Sequence, residues 1–369
     1  MPTPQTPYFQ YHPDAVEAGV QVFDAFTRSG IRVLYALKSN TYEPLVKRLI
    51  AAGYGFDVAS AHEIRLVHRL GCDLSNVSFS APSKLEEELR EASELGIPYY
   101  AFDSEQELEK IMRCVRQPSL IARIAVQDRG DGQNLSEIFG MSPEYYLRLL
   151  RKIIAKGYPI PGLTFHVGSQ NTSITAWQHA LDQMTSVAAR ARSLGAIIPF
   201  LNAGGGIPAP YTAGVKPTKF YVDRVCAMLQ DFARRTGITH LFIEPGRGVS
   251  ASSMSLLTRV VNIKTHKRPP ILVTDMSIFN GLLERLEHVE FSVEFCGLER
   301  ASGERRKAFK VTGMSCDGYD VISERCLLPA DVGIGDLLRI PNAGAYTFVY
   351  ERFHMRPYPP VVHLEPLKG

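Results

Sequence analysis

Eight short apolar runs, each followed by a stretch of helical periodicity, constrain this chain more than any other feature. The runs cover residues 32–37, 55–58, 77–79, 99–102, 121–124, 162–166, 200–203 and 240–243. Amphipathic stretches such as 61–70, 85–95, 143–156 and 174–194 lie between them. Nearly continuous apolar strands are buried on both faces, the pattern of a parallel sheet covered by helices. Eight such units match a (β/α)8 barrel, although a doubly wound open sheet has the same local pattern. The count and the polar residues at the strand ends favour the barrel.

After about Gly248 the helices give way to β-type segments at 255–264, 270–274, 290–296, 308–312, 336–340 and 348–352. This predicts two regions, an α/β barrel over 15–250 and a β domain over 251–369 that residues 1–14 join. The 369 residues carry a net charge of +3 without a basic run, so nucleic acid is not an expected partner. No apolar run reaches the roughly 20 residues of a membrane span, and the first residues have no signal pattern. No membrane partner and a cytoplasmic location are therefore expected. The six cysteines are scattered without a CxxC pair and read as thiols, so no metal site is expected.

In a barrel the C-terminal strand ends converge on one rim. Those positions hold Lys38, Asp57, Ser80, Asp103, Arg123, His166 with Ser169, Asn202 with Gly204, Gly205 and Gly206, and Glu244 with Pro245, Gly246 and Arg247. A lysine at the end of a buried strand is desolvated, which predicts a lowered pKa and a nucleophilic amine; a stem lining the strand with its head in water is the plainer reading. The glycine triplet can bring backbone N–H groups to a phosphate, or can simply be a tight turn. Glu244 can pair with a ring nitrogen or form a surface ion pair. His166 can stack on a flat ring or be a hydrogen-bonded core residue. Taken together, an aldehyde acceptor, a carboxylate for a pyridine ring and a phosphate cradle specify pyridoxal 5′-phosphate (PLP).

With these motifs in view, the chain resembles the fold type III PLP-dependent decarboxylases, the ornithine, arginine and diaminopimelate decarboxylase group with its siderophore-pathway relatives. The resemblance rests on YALKSN (35–40), GFDVASAHEI (55–64), SFSAPSK (78–84), AFDSEQELEKI (101–111), FHVGSQ (165–170), GGGIP (204–208), EPGR (244–247), CDGYD (316–320) and NAGAYT (342–347). It implies an alanine racemase-like barrel with a C-terminal β-sandwich or barrel, in a homodimer with shared active sites. It further implies that Lys38 forms the Schiff base, that Asp57 and Glu63 support that lysine, and that Arg123 sits near it. His166 would stack on the ring. Ser169, Gly204, Gly205, Gly206, Pro245, Gly246, Arg247 and Tyr346 would hold the phosphate, and Glu244 the pyridinium.

In the same family the Cys-Asp of the β domain enters the other subunit's site. Cys316 would then protonate the product, and Asp317 would meet the substrate's distal amine. The aromatic-Asp pair of the ornithine enzymes falls on Glu284 and Arg285. An arginine there repels an ammonium group and welcomes a carboxylate, unless Arg285 faces solvent and Glu284 meets the amine. The implied reaction is removal of the α-carboxylate of a diamino acid or of its conjugate. The alternative substrate is a carboxylate-rich siderophore intermediate of the citryl-diaminopropionate type. Racemases of this fold pair the ring with arginine, and PLP carriers lack the CDGYD and GAYT motifs, so both fit less well.

Overall fold

The computed structural model describes residues 5–126, 135–296 and 305–357. Strand β1, Tyr8–Tyr11, is followed by eight parallel strands: β2 (Ile31–Ala36), β3 (Gly55–Val58), β4 (Val77–Phe79), β5 (Tyr99–Phe102), β6 (Ser119–Arg123), β7 (Gly162–Thr164), β8 (Leu201–Asn202) and β9 (Leu241–Ile243). They pair in sequence order, and β9 returns to β2, closing the barrel. Within the barrel, Leu34, Ala101, Ile121, Phe200 and Phe242 form a separate apolar cluster. Gly162 leaves space for the Phe200 ring, since a Cβ there would stand 2.2 Å from it. The larger core lies between strands and helices; Val16, Val20, Phe23 and Phe26 of the helix Pro13–Arg28 join it at helical spacing. Ser60, Ser104 and Ser142 begin their helices as side-chain caps, each accepting an amide N–H three residues on.

The remaining strands are β10 (Met254–Lys264), β11 (Ile271–Thr274), β12 (Glu294–Phe295), β13 (Arg306–Thr312), β14 (Val321–Pro329) and β15 (Leu337–Ile340). With β1 they form one mostly antiparallel sheet ordered β12-β15-β10-β11-β13-β14, in which β1 also pairs with β10. Strand β10 is long enough to serve β1 and β15 with its first half and β11 with its second. The architecture is thus a closed eight-stranded parallel barrel plus a β region. Among the described residues no helix is long and apolar enough to cross a membrane. Residues 1–4, 297–304 and 358–369 of the expected β region lie outside the described residues.

Three local expectations change. The 348–352 run is no strand. It starts a short helical turn, and the segment Phe348–Met355 then kinks with non-helical backbone at Arg352, Phe353 and His354; Ser60 Oγ donates to His354 O at 2.6 Å. Strand β14 has no counterpart among the expected segments. Glu324 and Arg325 interrupt its apolar alternation, as befits the end strand of a sheet. Strand β2 ends at Ala36, and Lys38 lies in the short turn Leu37–Ser39.

Candidate active site

The turn that carries Lys38 is clamped from the C-terminal region. Tyr346 N donates to Ser39 O at 2.8 Å, Asn40 Nδ2 to Gly344 O at 2.6 Å, and Ser39 Oγ lies 2.5 Å from Ser250 Oγ. Gly344 is required at this contact, because a Cβ would stand 2.1 Å from Ser250 O. These bonds bring Tyr346 to the barrel rim beside Lys38. Burial opposes a charge on Lys38, but Asp57, Tyr346 and Glu244 outweigh it and hold the ammonium pKa above its usual value. The lowered pKa expected from desolvation alone is therefore corrected: two carboxylates and a phenol share the pocket with this amine. Asp57 shows the converse. Burial and Glu244 hold its carboxyl well above the usual range, against the pull of Lys38.

Lys38, Asp57, Ser80, Arg123, His166, Ser169, Glu244, Glu284 and Tyr346 line one cavity of 550 Å³. Glu244 is buried at the end of β9. Asn202 donates to its Oε1, and Ser80 Oγ donates to the same atom at 3.1 Å. Both bonds fix the orientation of this carboxylate within the cavity. His166 accepts from Gly168 N through Nδ1 at 3.0 Å, which places the remaining proton on Nε2. Burial, with Arg123 and Lys38 nearby, holds its pKa well below the ordinary value, so the ring is neutral.

A recess off this cavity is lined by His166, Ser169, Gly205, Gly206, Gly246, Arg247 and Tyr346. Arg247 is 3% exposed and donates to Ser169 Oγ at 2.9 Å; the Tyr346 ring lies 4.9 Å from its guanidinium carbon. Its Nε is buried without a partner, as is Asp57 Oδ1. A Cβ on Gly205 would stand 2.7 Å from Glu244 O and 3.0 Å from His166 Nε2. Both atoms belong to the recess wall. Gly205→Ala is expected to weaken PLP binding roughly tenfold by overpacking, read by titrating the cofactor-free protein; unchanged affinity would remove the triplet from the cradle. The orphaned donor, the crowded glycines and the buried carboxylate together fit a phosphorylated pyridine aldehyde.

The structure does not bring every expected residue to this place. Asp103 accepts from Gly140 N at 3.0 Å and does not line the cavity. Cys316 and Asp317 lie exposed on the loop between β13 and β14, and Asp317 accepts from Tyr319 N at 2.7 Å. Arg285 is corrected: its guanidinium donates to Val321 O at 3.2 Å and Val289 O at 3.1 Å and does not line the cavity. Its Nε and Nη1 are thereby engaged by backbone carbonyls of its own region. Glu284 is also corrected as an open amine acceptor, because it forms a two-point ion pair with Arg247.

Several residues of the site escape a reading by motif position. Tyr350, Phe353, His354 and Arg356 line the wall opposite the strand ends, with His354 Nδ1 3.2 Å from Glu63 Oε1 and Arg356 donating to Glu88 at 2.8 Å. Lys84 supports the 80–83 wall: its buried ammonium donates to Ala81 O at 2.7 Å and Ala101 O at 2.6 Å and lies 3.1 Å from Glu107. Burial lowers the Lys84 pKa to about 8, against the attraction of Glu107. A lysine ending the SFSAPSK motif was a visible signal for it; nothing in the order of residues marked His354 or Arg356.

Comparison with known proteins agrees with this chemistry. Residues 15–251 match the family model described as pyridoxal-dependent decarboxylase, pyridoxal binding domain. The lysine/ornithine decarboxylase of Selenomonas ruminantium is 29% identical over 95% of this chain and 88% of that protein. The ornithine decarboxylase of Mus musculus is 30% identical over 85% of this chain and 70% of that protein. The crystal structure of the Paramecium bursaria Chlorella virus arginine decarboxylase bound to agmatine superposes with a TM-score of 0.83 at 26% identity, covering 94% of this chain and 92% of that one.

Proposed function

The chain belongs to the pyridoxal-dependent decarboxylase family, and from that premise we propose that it removes the α-carboxylate of a diamino acid or a diamino-acid conjugate. Its cofactor is PLP and its reaction class is amino-acid decarboxylation. The observation that carries the reading is Lys38 in one cavity with Asp57, His166 and the anchored carboxylate of Glu244. When bound, the cofactor supplies an aldehyde for amines and a ring that accepts the electron pair CO2 leaves behind.

The chain's own groups divide the remaining work. Lys38 is the amine that would hold the cofactor's aldehyde. Glu244, fixed by Asn202 and Ser80, would face the ring nitrogen and favour its protonated form. His166, neutral, offers a flat face. Ser169, Gly205, Gly206, Gly246, Arg247 and Tyr346 would bind the phosphate, whereas Gly204, whose N–H donates to Asn202 Oδ1 at 3.0 Å, and Pro245, whose O accepts from Ala36 N at 3.0 Å, do not line the recess and hold the turns beside it. Arg123, over the Phe139 ring at 4.9 Å, adds positive charge beside the amine.

Cys316 and Asp317 act from a second copy of the chain, Cys316 giving its thiol proton to the α-carbon and Asp317 receiving the distal amine. Their exposure, away from the cavity of their own chain, supports this. Mixing Lys38→Ala chains with Cys316→Ala chains is then expected to restore about a quarter of native turnover, because half the random dimers keep one intact site. Each variant alone stays inactive. No recovery on mixing would confine the site to one chain.

A second reading of the substrate follows from His354 and Arg356 on the far wall. Beyond the Nη2 that Glu88 holds, the half-buried Arg356 has further N–H donors, which favour a substrate with a carboxylate beyond its amine, such as a citryl-diaminopropionate type intermediate, over a bare diamine end. CO2 release from ornithine, lysine, arginine, meso-diaminopimelate and citryl-diaminopropionate separates the two. Fast turnover of ornithine or lysine with no turnover of the carboxylate-rich substrates would discard the second reading.

A further inference from the structure

Glu284 comes from the C-terminal region, in the turn Leu283–Glu287, and none of the roles above uses it. Its carboxylate, 2% exposed, takes both terminal nitrogens of Arg247, one of them at 2.7 Å. The same guanidinium donates to Ser169 Oγ and, at 3.1 Å, to the Tyr211 hydroxyl, leaving only Nε without a partner. Arg247 and Ser169 line the recess to which the phosphate is assigned, while Glu284 lines the larger cavity and not the recess. One buried cation therefore faces two anions, a fixed carboxylate on one side and a ligand phosphate on the other. In a desolvated site, like charges that share a single cation repel strongly.

We propose that Glu284 is a built-in counter-anion that competes with the cofactor phosphate for Arg247 and so limits how tightly the chain holds PLP. In the cofactor-free protein the carboxylate satisfies the guanidinium, which removes part of the gain that phosphate would otherwise bring. Without the carboxylate, Arg247 is a buried cation lacking a counter-charge, an expensive state that an incoming phosphate relieves. The pair also crosses from the barrel to the C-terminal region, so phosphate arrival weakens a contact that ties the two together.

The inference rests on the assignment of the recess as a phosphate site, and the test separates the two. Cofactor-free native protein, Glu284→Gln and Glu284→Asp are titrated with PLP, with pyridoxal, which lacks the phosphate, and with inorganic phosphate. Glu284→Gln is expected to bind PLP and inorganic phosphate about tenfold more tightly and pyridoxal unchanged. Glu284→Asp, whose shorter chain loosens the pair, gives a smaller shift in the same direction and carries the test if the Gln variant does not fold. Equal or weaker PLP binding by the folded variant overturns the inference and makes Glu284 an aligner of Arg247. If native protein binds PLP and pyridoxal equally, the phosphate assignment itself falls, and the inference with it.

Discussion

Lys38→Ala is expected to lower turnover by about 10⁴-fold or more, since it removes both the covalent hold on the cofactor and the amine that releases product. The absorbance of lysine-bound PLP should vanish in the same variant while the fold persists. Lys38 is the amine in the shared cavity that lies beside Asp57, Glu244 and Tyr346, the groups that keep it charged in the absence of cofactor. Its loss also strips Asp57 of a neighbouring positive charge, and that carboxyl already sits well above its ordinary 3.8 through burial and Glu244.

The sign of the resulting pH dependence follows from linkage. A carboxyl raised in the folded state contributes stability that is complete below its unfolded pKa and is lost as pH rises through the folded value. The cofactor-free variant should therefore lose more stability than native protein as pH rises above the ordinary carboxyl value of 3.8, read in denaturant titrations. Native-like turnover and absorbance in Lys38→Ala would refute the assignment of the lysine.

Glu244→Gln is expected to retain cofactor on Lys38 but to lose about 10²- to 10³-fold in kcat, the scale found when one preorganised electrostatic group is removed. Shape is conserved in this change, so packing does not explain the loss. What disappears is the negative charge that Asn202 and Ser80 orient from Oε1. The amide cannot hold a proton on a ring nitrogen by charge, and the ring then withdraws electrons less well. An effect on PLP affinity with kcat intact would place Glu244 in binding rather than in chemistry.

The motifs exposed much of this machinery because each is local. YALKSN, FHVGSQ, GGGIP and EPGR each follow a short buried strand, and barrel closure brings such ends to one rim whatever the distances along the chain. Lys38, His166, Gly205 and Glu244 could therefore be grouped before any coordinates. Arg285 shows where that logic stops. Its position in the sequence suggested a substrate carboxylate, yet its donors are held by Val289 O and Val321 O. Which way a long side chain turns depends on the acceptors that packing leaves nearby. The charge on Lys38 is likewise set by tertiary partners, because desolvation is visible in an apolar run but the facing carboxylates are not.

The barrel, the cofactor and the gathering of Lys38, Asp57, His166 and Glu244 in one cavity were already implied by the order of residues. Those follow from alternation of apolar strands and from glycine, lysine and carboxylate placements that act over a few residues. Tertiary structure alone decided the pairings: Glu284 with Arg247, His354 with Glu63, Tyr346 over the Lys38 turn. These partners come from different regions of the chain, and an ion pair forms only where folding removes water and brings both charges within bonding distance. The cofactor was therefore legible in the order of residues, whereas the Glu284–Arg247 ion pair became visible only in the fold.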